Sequence, residues 1–514
     1  MRIPNYVLLA SSIASGNSLL AKSPNIIIIM TDQQRADLLA REGYPLDIMP
    51  FVDSLAKDGA WFNRAYTTCP ASIPARTSFL TGRFPKATHV RSNQNESDAY
   101  FESDLFKVAK EKGYKTAMIG KNHTYLRKEK VDYWSLYMHG GQIGGTKTKE
   151  AAAFDQFLNN TMLYASITPA PGGVENQLPF RMVTEATEWM KSINNDPFLM
   201  WLSFSEPHNP YQVCEPYFSM FYDKLPKLTT SSKDQKIKGK PYEQLAEMMR
   251  LGHVGYEENL DRLRSNYLGM MRLIDDQVAR LVQNLKNQGV YDNTIIVYLS
   301  DHGDYVGEYG LMKKGAGVAE SITRIPLQWS GPGIKANSLP QKAHVSMADI
   351  FPTVCEILDA PIPAGVQGRS LWPILKGEDY PETEFSSMMV EQGYGGERYT
   401  KEDGSDYLAE GTISKEKFYF DELNTWTQSG SMRMLRKDDW KLVFDRSGKG
   451  ELYNLKNDPM ELVNLYDSKK YNTIKSELMQ DILRWEISTQ DPLPIPQKRY
   501  RFKTNPHNYL FSEK

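Results

Sequence analysis

Four short apolar runs punctuate this chain, and each stops abruptly at polar or charged residues. Residues 24–30 run into Thr31-Asp32-Gln33-Gln34, and residues 114–119 into Gly120-Lys121-Asn122-His123. Residues 197–204 lead to Glu206-Pro207-His208, and residues 293–299 to Ser300-Asp301-His302-Gly303-Asp304. Continuous apolar runs of this length suit strands buried on both faces. Helical periodicity covers 51–58, 105–112 and 270–288 between them. The alternation predicts an α/β fold around a mostly parallel sheet. Open sheets of that kind bind ligands at the carboxyl ends of their strands. Four strand ends bearing carboxylates, lysine or imidazole therefore predict one convergent site on one sheet edge.

Residues 215–255 lack a clear period and are expected to form an insertion near the mouth of that site. Residues 395–430, rich in Gly, Tyr, Glu and Thr, are expected to form loops. Beyond them, 433–444 and 451–455 alternate like antiparallel strands, and 477–487 has a helical pattern. The expected division is a catalytic α/β domain over 24–385 and a smaller C-terminal subdomain over 386–514, with an antiparallel sheet and a helix. A chain of 514 residues has room for roughly three domains of about 150 residues, although large α/β enzymes often use fewer.

Residues 1–21 have one early basic residue, Arg2, then an apolar stretch and small residues up to Ala21. Despite Pro4, Asn5 and several serines, this predicts a secretory signal peptide. No cysteine lies near its end, so lipidation there is not expected. No other stretch approaches the ~20 apolar residues of a membrane span.

Composition narrows the classes further. A formal net charge of -2 leaves no basic excess to neutralise phosphates, so nucleic acid is not the expected partner. Three cysteines allow one disulfide at most, so no disulfide framework is expected.

The strongest motif is Ser-Ile-Pro-Ala-Arg-Thr-Ser-Phe-Leu-Thr-Gly-Arg at 72–83. Ser72, Pro74, Arg76 and the string Leu80 to Arg83 resemble the signature of type I sulfatases, in the alkaline-phosphatase-like superfamily. In that family the first residue, Cys or Ser, is oxidised after translation to formylglycine. Cys69 is a decoy, because position 73 is Ile where the motif requires Arg. A nucleophile at a helix start meets free N–H groups and the positive end of the dipole, which suits an anionic ester. Arg76 lies one turn on, on the same face, and is expected as a catalytic residue that holds the aldehyde hydrate in place and helps to neutralise the sulfate.

The resemblance covers nearly the whole chain after residue 24 and implies an alkaline-phosphatase-like sandwich. It implies that Asp32, Gln33, Asp301 and His302 hold one calcium ion. Two of these depart from the family, where Asp commonly stands at Gln33 and Asn at His302. Lys121 and His123 match a Gly-Lys-x-His motif, which implies sulfate binding by Lys121 and proton abstraction by His123. His208 matches a Pro-His-x-Pro loop and is implied as the acid for the leaving oxygen. Lys314 falls where a lysine bridges sulfate and leaving oxygen, with Lys313 as the alternative if the register slips by one. The serine form of the motif points to bacteria, so a formylglycine-generating maturase is an implied partner.

The expected function is hydrolysis of sulfate esters on a sulfated carbohydrate, a glycosaminoglycan or algal-polysaccharide fragment, in the periplasm or outside the cell. A phosphonate monoester or phosphodiester hydrolase of the same superfamily is the alternative. A non-catalytic glycan-binding relative is disfavoured by the complete set of basic and imidazole residues. Tyr217, Tyr222, Tyr242, Tyr394 and Tyr399 are candidates for stacking on a sugar.

Overall fold

A computed structural model of the chain describes residues 23–161, 164–194, 196–253, 255–399, 413–414, 417–418, 422–490 and 506–511. The expected signal segment lies outside these residues. The body is built on an eight-stranded sheet. Its strands are β1 (Asn25–Asp32), β2 (Ala60–Phe62), β3 (Lys115–Gly120), β4 (Tyr133–Met138), β5 (Gly141–Ile143), β6 (Phe198–Pro207), β7 (Thr294–Ser300) and β8 (Leu327–Ser330). The order is β2-β8-β7-β1-β6-β3-β4-β5. Strands β7, β1, β6, β3 and β4 are mutually parallel, and the outer pairings are antiparallel. The four runs read from sequence are thus the four central strands, and their carboxyl ends share one edge.

Strand β1 shows why such runs are apolar throughout. Ile27 and Ile29 enter the core on one face, while Ile26, Ile28 and Met30 enter the core on the other. Side chains alternate across a strand, so a sheet covered on both faces needs every position apolar. Each fully buried side chain of this kind contributes about 1.5–3 kcal/mol. Helices α1 (Pro50–Lys57), α2 (Ser72–Thr81), α3 (Leu105–Glu111), α4 (Leu178–Ser192), α5 (Lys240–Gly252) and α6 (Leu260–Asn287) provide that cover. Residues of α1, α4, α5 and α6 pack into the first core, and residues of α2 and α3 into the second.

A second sheet joins β9 (Ser387–Gly395), β10 (Gly430–Lys437), β11 (Trp440–Asp445) and β12 (Gly450–Asn454), all antiparallel in that order. Helix α7 (Asn472–Thr489) packs on it through Leu478, Ile482 and Trp485. Among the described residues, no helix is long and apolar enough to cross a membrane.

Two expectations are corrected. Residues 215–255 are not aperiodic, because α5 buries Tyr242, Leu245, Ala246, Met248 and Met249 at helical spacing. The charged residues that dominate its other face hid the period. Tyr217 and Tyr242 are buried and cannot stack on a sugar. The Tyr217 hydroxyl donates to Asp276, and Tyr242 packs edge-on against Tyr305 and Tyr309. Tyr222, Tyr394 and Tyr399 are exposed.

The second sheet is tied to the body by a buried carboxylate. Glu461 Oε1 accepts from Lys441 Nζ of β11 at 3.0 Å and from Glu320 N at 2.7 Å. Its Oε2 accepts from Lys238 Nζ at 3.2 Å. Burial works to raise its pKa, but Lys238 and Lys441 outweigh burial and hold the carboxyl at about 2. A depressed carboxyl stabilises the fold above its unfolded pKa of 4.5 and loses that contribution as pH falls through about 2. Glu461→Gln should cost about 3 kcal/mol at neutral pH in urea unfolding. The gap between variant and parent should close between pH 4.5 and 2.

Candidate active site

Helix α2 starts at Ser72 after the extended residue Ala71, and all ten of its residues are buried. It ends at Gly82, which takes φ +64, and a Cβ there would approach Val366 Cγ1 to 2.8 Å. The helix therefore fits only as drawn, with its first turn aimed at the carboxyl edge of the sheet. Ser72 Oγ lies 2.9 Å from His302 Nε2.

Arg76, one turn on, gathers four strands. Its Nε donates to Asp301 Oδ2 at 2.8 Å, just beyond β7. Its Nη1 donates to Lys121 O at 2.8 Å, just beyond β3, and to Ser203 Oγ of β6 at 2.7 Å. Its Nη2 stands 3.5 Å from Asp32 Oδ2 at the end of β1. Arg76 is thus committed to the scaffold under the nucleophile, and only Nη2 has no hydrogen-bond partner among the described residues.

Lys121 follows Gly120, where φ is +113 and a Cβ would sit 1.9 Å from Ser203 O. Only glycine allows this approach, which turns Lys121 Nζ onto Asp32 Oδ2. Burial would raise the Asp32 pKa, but the Lys121 and Arg76 cations outweigh it and hold the carboxyl well below the usual range. Burial draws Lys121 itself down to about 8, against the opposing pull of Asp32.

Asp32, Asp301 and His302 each offer one ligand atom within 4.8 Å of the others. Asp32 Oδ1 is buried without a hydrogen-bond partner among the described residues. His302 Nδ1 faces Gly303 O at 3.0 Å, so that nitrogen carries the proton and Nε2 presents its lone pair. Burial takes the imidazole down to about 4, which keeps it neutral. Two carboxylates, one with an unpartnered oxygen, beside a neutral imidazole fit a divalent cation. Gln33 adjoins this trio through its backbone. At φ 69 its N–H reaches Asp301 Oδ1, while its amide bridges Lys314 Nζ at 2.6 Å and Asp304 Oδ2 at 2.6 Å.

On the opposite side, His208 Nδ1 faces Asn209 O at 2.6 Å, and its Nε2 faces Lys314 Nζ at 3.1 Å. Burial, then His139 and Lys314, hold His208 neutral. Lys314 is the lysine that reaches the site. Lys313 Nζ turns to Glu422 at 3.3 Å. His123 takes φ 48 and keeps Nδ1 without a partner among the described residues. Burial and Lys121 lower its pKa well below the usual imidazole value. Cys69 is buried against Ala71 and Leu423, and burial pushes its thiol up.

Sequence reasoning missed three neighbours. Glu422 accepts from Lys314 at 3.0 Å as well as from Lys313, and it comes from the segment expected to form loops. Those two lysines outweigh burial and hold its carboxyl far below the usual range. Asp304 receives the Gln33 amide and the Tyr211 hydroxyl, and burial raises it to about 6. His139 Nε2 lies 3.0 Å from Lys121 Nζ, and its ring stacks on His208. A signal for His139 existed, since it directly follows the alternating strand β4. Glu422 had none.

A buried hydroxyl at a helix start, a cation-ready trio and two lysines on facing sides define a hydrolase of anionic esters. The family model described as Sulfatase matches residues 24–360. The chain belongs to the sulfatase family, within the alkaline-phosphatase-like superfamily, and is a sulfuric ester hydrolase. An arylsulfatase of Clostridium perfringens is 27% identical over 500 residues, covering 91% of this chain and 95% of its own length. An ulvan-active sulfatase of Formosa agariphila is 25% identical, covering 92% and 90%. The solved phosphonate monoester hydrolase of Agrobacterium radiobacter aligns with TM-score 0.73 at 22% identity, over 91% of this chain and 96% of that one. That last likeness shows the shared fold.

Lys314→Ala should lower kcat/KM on a chromogenic aryl sulfate by about 100-fold or more, and Lys313→Ala by less than about 10-fold. A larger loss at Lys313 would move the bridging role to that residue.

Proposed function

We propose that this enzyme removes sulfate from a sulfated carbohydrate, using formylglycine made from Ser72. The observation that carries the reading is the placement of Ser72 Oγ at the start of α2, beside His302 and over the Arg76 cluster. The carbohydrate class is supported by the ulvan-active relative and by the expected export of the chain.

Formylglycine at Ser72, as its aldehyde hydrate, would supply one hydroxyl for attack on sulfur and a second whose proton loss to a base would release sulfate and restore the aldehyde. Lys121 and Lys314 approach from facing sides and neutralise the ester's non-bridging oxygens. His208 and Lys314 hold a proton between them as the Lys314 ammonium, next to the expected position of the leaving oxygen. His123, held neutral by burial, is able to accept a proton at Nδ1. Asp32, Asp301 and His302 would hold a divalent cation, calcium in this reading, that withdraws charge from the sulfate oxygens. Elemental analysis of the purified protein should find about one calcium per wild-type chain and none in Asp301→Ala.

Co-expression with a serine-oxidising maturase should shorten the tryptic peptide bearing Ser72 by two hydrogens in mass spectrometry. Full activity with unmodified serine would sink the mechanism. Substrate class is tested by comparing kcat/KM on sulfated disaccharides with that on a phosphodiester and a phosphonate monoester. We expect the sulfated sugars to win. A wide margin for the phosphorus substrates would establish the alternative suggested by the fold likeness and the imidazole among the ligands. Cell fractionation should find the protein in the periplasm or medium with its first ~21 residues removed.

A further inference from the structure

His139 has no role in the mechanism above, yet it touches both halves of the site. Its Nε2 lies 3.0 Å from Lys121 Nζ. Its ring stacks on His208 with centroids 3.9 Å apart and planes 18° from parallel. A lysine ammonium has three donors and no acceptor, so Nε2 must be the accepting nitrogen and Nδ1 must carry the proton. That Nδ1–H is buried and has no partner among the described residues.

Behind the ring lies a small cavity of about 10 Å³, lined by His139, Ser205, Glu206, His208 and Gln212 among others. Three of these lining residues also hold buried polar atoms without partners among the described residues: Ser205 Oγ, Glu206 Oε2 and Gln212 Oε1. Such clustering calls for a common partner, because an unsatisfied buried polar atom costs about 1–3 kcal/mol. The volume is at the lower limit for one water, and the donor set matches one. A water there would accept from His139 Nδ1–H and donate to Glu206 Oε2 and Gln212 Oε1, with Ser205 Oγ completing its shell.

We propose that His139 is a positioning residue of the sulfate site, set in one tautomer by a water that Glu206 and Gln212 hold behind it. The fixed tautomer leaves Nε2 to orient Lys121, while the flat face of the ring orients His208. One imidazole thereby couples the sulfate-binding lysine to the leaving-group histidine. Glu206 acts only through this water and His139. The role rests on the sulfatase reading, because it is defined by what Lys121 and His208 do there.

The test combines a high-resolution crystal structure of the full chain with four variants. In wild type we expect density for a water within hydrogen-bond distance of His139 Nδ1, Glu206 Oε2 and Gln212 Oε1. His139→Phe keeps the stack but removes the acceptor, and should lower kcat/KM about 100-fold, the usual result of displacing a reacting group by 1 Å. His139→Gln restores an acceptor toward Lys121 and should recover about tenfold of that loss. Glu206→Leu should expel the water and lower kcat, whereas Glu206→Gln, which keeps an acceptor, should stay within about threefold of wild type. A dry cavity overturns the proposal, as does a His139→Gln variant no more active than His139→Phe. If Glu206→Leu fails to fold, the wild-type water and the two His139 substitutions still decide the matter. A wild-type protein that releases no sulfate would defeat the functional reading instead, while the position of the water would still be tested.

Discussion

One guanidinium group holds the active edge together. Arg76 reaches the middle of β6 and the ends of β1, β3 and β7 from a single buried helix position. Without it, Asp301 would lose its arginine partner at full burial, and Asp32 would keep only Lys121. Removing one partner from such a cluster leaves an uncompensated buried charge, which is more costly than never having built it. Ser72, the proposed nucleophile, sits one helical turn before this residue, so the arginine that stabilises the sheet edge also anchors the helix start that carries it. Structure and chemistry therefore share one residue.

Charge in the site is arranged in two facing groups. Lys121 and Arg76 balance Asp32 and Asp301 on the nucleophile side. Lys313 and Lys314 meet Glu422 on the His208 side, where the two lysines exceed that carboxylate by one charge. A divalent cation on the first side would add to that excess and suit a bound anion. Burial and the neighbouring cations hold His123 and His208 neutral, which would fit them to exchange protons rather than to pair with an anionic ester.

The C-terminal part of the chain does more than shield a sheet. Glu422 brings a carboxylate to Lys314 from just before β10, and Glu461 locks β11 to the body through Lys441 and Glu320. A loop that carries a site residue needs a rigid mount, and the antiparallel sheet with α7 supplies it.

The sequence by itself determined the central strands, because a strand covered on both faces must be apolar along its length. It also carried the placement of Ser72 with Arg76, Lys121 with His123, and His208 at one sheet edge, because each follows a strand or opens a helix within a few residues, where local geometry decides position. Tertiary structure decided the rest. Lys314 rather than Lys313 enters the site because the loop folds back onto Gln33 and Glu422. The Gln33 amide lies between Lys314 and Asp304, contacts made across more than 270 residues that the sequence could not show. Glu422 and His139 gained their places only when distant segments packed together. Tyr217 and Tyr242 were lost as sugar platforms for the same reason. Periodicity and local motifs register the neighbours of a residue along the chain, while burial and charge pairing between remote segments exist only once the chain has folded.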